Sequence, residues 1–266
     1  MKFGVEIEAY GVYGDRIREA CVIQGVKVVN ERYNHQTQRY WKIVPDSSIY
    51  GYQPFEIVSP PLKGEAGLKR VEKVCNILES LGASTNSSCG LHVHVDASDL
   101  TFEQMKNIAK GFIKYESTFD SFVTPERRGS ENTFCKSNAS RFESEADAFR
   151  QIDATQDLDE LITIMNGKRD AYDNRYFKLN MAALWRHGTI EFRQHHGTVN
   201  YETIASWIRF CINFVEVAKK ANMRVAKIEM TPEESAKRFF KLITQCYHVN
   251  ADLCSYYRNR RRQLAA

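Results

Sequence analysis

Three short segments constrain this chain more than the rest of it: Glu6-Ile7-Glu8, His92-Val93-His94 and Glu191-Phe192-Arg193. Each sets two chemically active side chains two residues apart among β-formers. In a strand, residues i and i+2 project from the same face. Three strands then offer a pair of carboxylates, a pair of imidazoles, and a carboxylate beside a guanidinium. Converging faces of that kind would suit a divalent metal and an anionic phosphate.

The order of patterns around these strands sets the fold class. Lys2 to Tyr10 alternates like a strand, and Cys21 to Asn30 and Arg39 to Val44 read as further strands or a hairpin. Phe55 to Val58 is a short strand stopped by Pro60-Pro61, which cannot donate to a ladder. Leu68, Val71, Cys75 and Leu78 then fall at helical spacing from Glu65 to Leu81. After the strand Leu91 to Asp96, Thr101 and Gln104 make a capping-box start for a long helix reaching Val123. Glu126 to Glu145 is polar and loop-like, with Arg127, Arg128 and Arg141 as a charged surface that is either solvated or selective for an acidic substrate. Asp157 to Met165 predicts a short helix.

Tyr176 to Ala183 and Thr189 to His195 predict a strand pair turning at Arg186-His187-Gly188. Asn200 predicts a helix cap. Thr231-Pro232-Glu233-Glu234 starts another helix, reaching Tyr247. A last helix follows from Asn250. This order lacks the regular βαβα alternation of a doubly wound sheet, so an α+β fold with a mainly antiparallel sheet is expected. Residues 1–266 read as a single catalytic domain, with a helical insertion over about 101–167 and C-terminal helices over about 200–266.

Composition excludes some alternatives. At 43% hydrophobic and 26% charged residues, a folded globular chain is expected rather than disorder. The net charge of +4 is too mild to argue for nucleic acid, and none is expected as a partner. Arg258-Asn259-Arg260-Arg261-Arg262 reads as a solvated helix end, where cations suit the dipole. Seven scattered cysteines, with no Cys-x-x-Cys, make neither a disulfide framework nor a zinc ribbon. A reducing, cytoplasmic setting is expected, with no signal peptide and no membrane span.

Each constellation has a bland counterpart. Glu6 and Glu8 alone could be acids facing water. His92 and His94 could be a packed, hydrogen-bonded pair. Glu191 and Arg193 could be an ion pair of little energetic weight. Glu56, inside an otherwise apolar strand, is costly unless paired or metal-bound. Cys89 and His92 fall on opposite faces of a regular strand, which argues against a thiol nucleophile with a histidine base. There is no Gly-rich phosphate loop, so any nucleotide would need metals and basic side chains.

Taken together, Phe3 through Glu8, Trp41 through Ile49, Glu56 through Leu62, Ser88 through Val95, Leu179-Asn180 and Gly188 through Arg193 resemble the amidoligase family. These are carboxylate–amine ligases related to glutamine synthetase and glutamate–cysteine ligase. The resemblance implies a glutamine synthetase-like catalytic fold, a curved sheet with helices on its convex face. It implies ATP and two or more Mg²⁺ or Mn²⁺ ions as cofactors. Glu6, Glu8, Glu56, His92 and Glu191 would be metal ligands, and His94 would lie nearer the nucleotide phosphates. Arg193 would contact the acyl phosphate or the substrate carboxylate, and Arg175 would be a further phosphate contact. The activity implied is ATP-dependent amide or isopeptide bond formation through an acyl phosphate. The partners would be small-molecule or peptide carboxylates and amines, and oligomeric state is left open. A metal-dependent hydrolase on the same face, or a non-catalytic binding protein retaining the fold, are the competing expectations. His195 and His196 have no role in this scheme.

Overall fold

The computed structural model describes residues 1–225, 231–244 and 251–265. In chain order the elements are β1 (Lys2–Ala9), α1 (Gly14–Ile23), β2 (Val28–Asn30), β3 (Trp41–Val44), β4 (Phe55–Val58), β5 (Leu62–Lys63), α2 (Gly64–Ser80), β6 (Gly90–Asp96), α3 (Phe102–Asp120), α4 (Glu145–Ala154), α5 (Leu158–Asn166), β7 (Leu179–Asn180), α6 (Leu184–His187), β8 (Thr189–His196), α7 (Tyr201–Ala218), α8 (Pro232–Ile243) and α9 (Ala251–Ala265). The class is α+β. The chain forms two compact units, one of residues 1–95 with 195–208, the other of 96–194 with 209–266.

In the first unit the strands run in the order β2-β3-β4-β1-β6. β1 is antiparallel to β4, β5 and β6, whereas β2 and β3 are parallel, so the sheet is mixed. The alternation of β1 divides its faces: Phe3, Val5, Ile7 and Ala9 are buried. α2 packs on this apolar side closely enough that a Cβ on Gly67 would come within 3.2 Å of the Phe3 ring. Between β4 and β5, Pro60 and Pro61 interrupt the ladder. Ser59 compensates, its N–H donating to Val5 O and its Oγ accepting from Val5 N at 2.9 Å.

Two expectations fail here for identifiable reasons. The predicted strand from Cys21 begins inside α1, where Ile17 and Cys21 are buried one helical turn apart. The β-branched Val22 and Ile23 that suggested a strand are exposed on that helix. Of the two readings of this stretch, that of further strands holds, as β2 and β3, while the hairpin fails because they pair in parallel.

The second unit is largely helical. α3 carries the expected capping box at Thr101 and Gln104, and α8 the one at Thr231 and Glu234. Asn200 Oδ1 accepts from Thr203 N at 3.0 Å, as an N-cap should. The predicted helix end at Tyr247 and start at Asn250 lie outside the described residues. β7 is only two residues long, and α6 occupies the expected turn before β8. What would be longer strand is held by side-chain amides instead: Asn138 and Asn166 both donate to Leu179 O. No described helix is long and apolar enough to cross a membrane. The six cysteines among the described residues are free and buried.

Candidate metal centre and basic–aromatic cluster

The pairing register decides which polar residues meet. Glu6 stands opposite His92 across β1 and β6, and Gly4 opposite His94. Glu8 stands opposite Glu56 across β1 and β4. All five acids and imidazoles therefore share the face of the first unit's sheet that β1's apolar residues leave.

Their contacts are close. His92 is 3% exposed, and its Nδ1 lies 3.1 Å from Glu6 Oε2 while its Nε2 lies 3.5 Å from Glu8 Oε1. The ring thus bridges the two glutamates. His94 Nε2 is 3.3 Å from Glu6 Oε1. Glu8 Oε2 accepts the Gly90 N–H at 2.5 Å, which ties the carboxylate to the start of β6. Glu6, Glu56 and His92 each bring a ligand atom within 4.8 Å of the others.

The electrostatics identify the group that is out of balance. Burial raises the Glu6 carboxyl, but the charge of His94 and hydrogen bonds from His92 and His94 overcome it, holding Glu6 well below the ordinary 4.5. Glu56 has no such compensation. Burial and the charges of Glu6, Glu8 and Asp46, with a hydrogen bond to Glu6, push it well above the ordinary 4.5. Like charges directly opposite in a sheet are destabilising. A cation would turn that repulsion into ligation, and oxygen-rich donors with one imidazole suit Mg²⁺ or Mn²⁺. The donor set therefore fits a divalent ion.

Glu191, Arg193 and Arg175 belong to the second unit. Glu191 is buried, with Oε1 accepting from Arg193 Nη1 at 2.6 Å and Oε2 from Asn180 Nδ2 at 2.5 Å. Arg193 and Arg175 converge on Tyr176, at 5.8 and 4.9 Å from its ring centre, and Arg175 Nη2 donates to its hydroxyl at 2.9 Å. Burial raises the Tyr176 phenol, but hydrogen bonds from Arg175 and Tyr172 and the charges of Arg175 and Arg193 bring it below the ordinary 10.0. The surroundings are electropositive, as an anion site would be.

Several residues of this region were not singled out from the sequence. Lys178 is fully buried and donates to Glu116 at 3.0 Å and Asp120 at 2.6 Å. Burial works against its charge, yet the two carboxylates hold the ammonium above the ordinary 10.5. Glu116 falls among the apolar stripe residues Phe112, Tyr115 and Phe119 of α3, which was the available signal. Asn180 stands opposite Glu191, with its Oδ1 buried and unpartnered among the described residues. The loop arginines are engaged by the main chain. Arg127 donates to Arg193 O and Gln194 O, and Arg141 to Ile164 O and Thr163 O. Cys89 is buried in the first unit, 3.8 Å from Asn86 Oδ1. His195 stacks on His196 and packs against Trp207.

A sheet face of acids and imidazoles, in a chain that also holds buried arginine–carboxylate pairing, defines a candidate metal-dependent protein. The sequence matches the family model described as "Putative amidoligase enzyme" over residues 1–215, and the chain belongs to that family. No curated protein matches it. Among solved structures, it is similar to a bifunctional glutathione synthetase from Pasteurella multocida at 12% identity and a TM-score of 0.43. That alignment covers 99% of this chain and 48% of the other, so the chain spans about half the length of that protein.

Proposed function

We propose that this protein is an ATP- and Mg²⁺-dependent carboxylate–amine ligase with a glutamine synthetase-like catalytic sheet, its helices on the convex side. Membership of the amidoligase family supports a ligase-type role. The observation that carries the site is the meeting of Glu6, Glu56 and His92 within 4.8 Å, with Glu8 beside them. A divalent ion held there would supply charge neutralisation for phosphoryl transfer.

The proposed chemistry joins two half-reactions. A carboxylate oxygen of the acid substrate attacks the γ-phosphorus of ATP and ADP leaves. The amine nitrogen then attacks the acyl carbon, phosphate leaves, and the nitrogen gives up a proton. For this chain's residues the roles follow from their surroundings. His92 must release one of the two glutamates it bridges to present a ring nitrogen as a ligand. Glu56 must give up the proton that its acidic neighbours favour. Arg193, which does not titrate, would hold the acyl phosphate or substrate carboxylate. Arg175 would add a phosphate contact and His94 would lie toward the phosphates. Glu191 and Arg193 enter this reading through the motif they share with the family.

The test supplies Mg²⁺–ATP with panels of carboxylates and amines, including amino acids and peptides, to the full chain. ADP and phosphate should form only when metal, acid and amine are all present. Glu6→Ala and Glu191→Ala should each lower that turnover by about 100-fold or more, with unchanged circular dichroism. Undiminished turnover in both variants would remove the site assignment. Amide or phosphoester cleavage without ATP would move the protein to the hydrolases.

A further inference from the structure

A second concentration of charge lies within the second unit. A cleft of about 720 Å³ opens between the end of α3, α8 and α9. Arg128, Lys237, Lys241, Arg258, Arg261 and Arg262 line it, against a single acid among the described residues, Glu233. Six cations and one acid leave an excess of five positive charges. Five of the six cations follow residue 215, where the family match ends.

The helix dipole accounts for Arg262 in the last turn of α9, and not for Lys237 or Arg128. Lys237 and Lys241, and Arg258 and Arg262, are like charges one helical turn apart, a destabilising arrangement. The internal compensation is slight. Glu233 approaches Arg261 only to 4.0 Å and is itself 72% exposed. Arg261 Nε is buried with no hydrogen-bond partner among the described residues. A buried donor of this kind normally has an acceptor.

Part of the wall is already fixed in place. Arg128 donates to Val123 O at 3.0 Å and Leu264 O at 3.2 Å, and Arg258 lies 5.3 Å over the Phe240 ring. The cleft volume falls in the range of small-molecule sites. Four of its six cations are arginines, whose fork matches phosphate oxygens. Arg258 covers Phe240, so the aromatic face is not open for base stacking as a nucleic-acid platform would require.

We propose that this cleft is a binding site for an oligophosphate anion, either free or as the triphosphate of a nucleotide. The proposal does not depend on the ligase reading. The test is calorimetric titration of the full chain in EDTA at physiological ionic strength. The ligands are inorganic triphosphate, ATP and a single-stranded oligonucleotide. Lys237, Lys241 and Arg262 have exposed side chains, so K237Q/K241Q/R262Q should keep its melting transition and bind triphosphate at least tenfold more weakly. K237R/K241R should retain binding, and K241E alone should weaken it if the triple variant fails to fold. Equal affinity for triphosphate and ATP assigns the site to the phosphate chain, and tighter ATP binding assigns it to a nucleotide. Unchanged triphosphate binding in the folded triple variant, or in K241E where that variant does not fold, overturns the proposal. So does an oligonucleotide bound more tightly than either phosphate ligand.

Discussion

At the scale of single residues, Glu56 is where stability and metal binding conflict. Its carboxyl is pushed up by burial and by Glu6, Glu8 and Asp46. A raised folded-state value means the contribution to stability is fully present below the ordinary 4.5 and is lost as pH rises through the folded value. Glu6 is displaced the other way. Its contribution is present above 4.5 and is lost as pH falls through its lowered value. The two windows lie on opposite sides of the ordinary value, so they separate. In EDTA, stability should fall as pH rises above the ordinary 4.5, with a slope of at most about 1.4 kcal/mol per pH unit while Glu56 titrates. Glu56→Gln should flatten that slope, raise the metal-free melting temperature at neutral pH and weaken Mg²⁺ binding. Wild-type Mg²⁺ binding should also release a proton, visible as a dependence of the calorimetric heat on buffer ionisation enthalpy. Identical pH slopes in the two proteins would show that Glu56 is not strained by its acidic neighbours.

At the scale of elements, strand parity made the site face legible from residues 6, 8, 92 and 94 alone. Spacing within a strand fixes which face a side chain takes, and the structure bears this out for β1 and β6. Partner strands were not legible. Nothing local to Glu8 selects Glu56 as its cross-strand neighbour, because register depends on the whole pairing. Lys178 was hidden for a related reason, since its two carboxylates lie on α3, far away in sequence. α1 was misread because two β-branched residues outweighed a single buried pair. A close backbone approach was equally invisible. Gly197 N donates to Cys89 O at 2.8 Å, and a Cβ on Gly197 would stand 2.3 Å from Cys89 Cβ. Gly90, the next residue, holds Glu8. Gly197→Ala should therefore cost about 1–3 kcal/mol through overpacking and also weaken metal binding by displacing Glu8. Thermal unfolding with and without Mg²⁺ would check this, and an unchanged metal-induced shift would separate Gly197 from the site.

At the scale of the whole molecule, the family-matched stretch is not a self-sufficient core. In the second unit, Phe119 of α3 and Phe210 of α7 pack against Phe239 of α8 at 5.3 and 5.6 Å between ring centres. Phe122 and Phe210 meet Tyr257 of α9 at 4.8 and 4.9 Å. Phe239 and Tyr257 are nearly fully buried. The helices that line the basic cleft are thus also the ones that close an aromatic core begun by α3. Capping signals revealed the starts of α3, α7 and α8 separately, but such signals do not say which apolar faces meet. Truncating Phe239 removes a ring shared by Tyr115, Phe119, Phe210 and Phe214. The lost burial and residual cavity should cost about 3–5 kcal/mol, a drop of roughly 6–20 °C in melting temperature for a chain of this size. Chemical denaturation of Phe239→Ala beside the wild type measures this directly. A difference under about 0.5 kcal/mol, the level of an ordinary surface change, would mean that α8 is an appendage rather than part of the core.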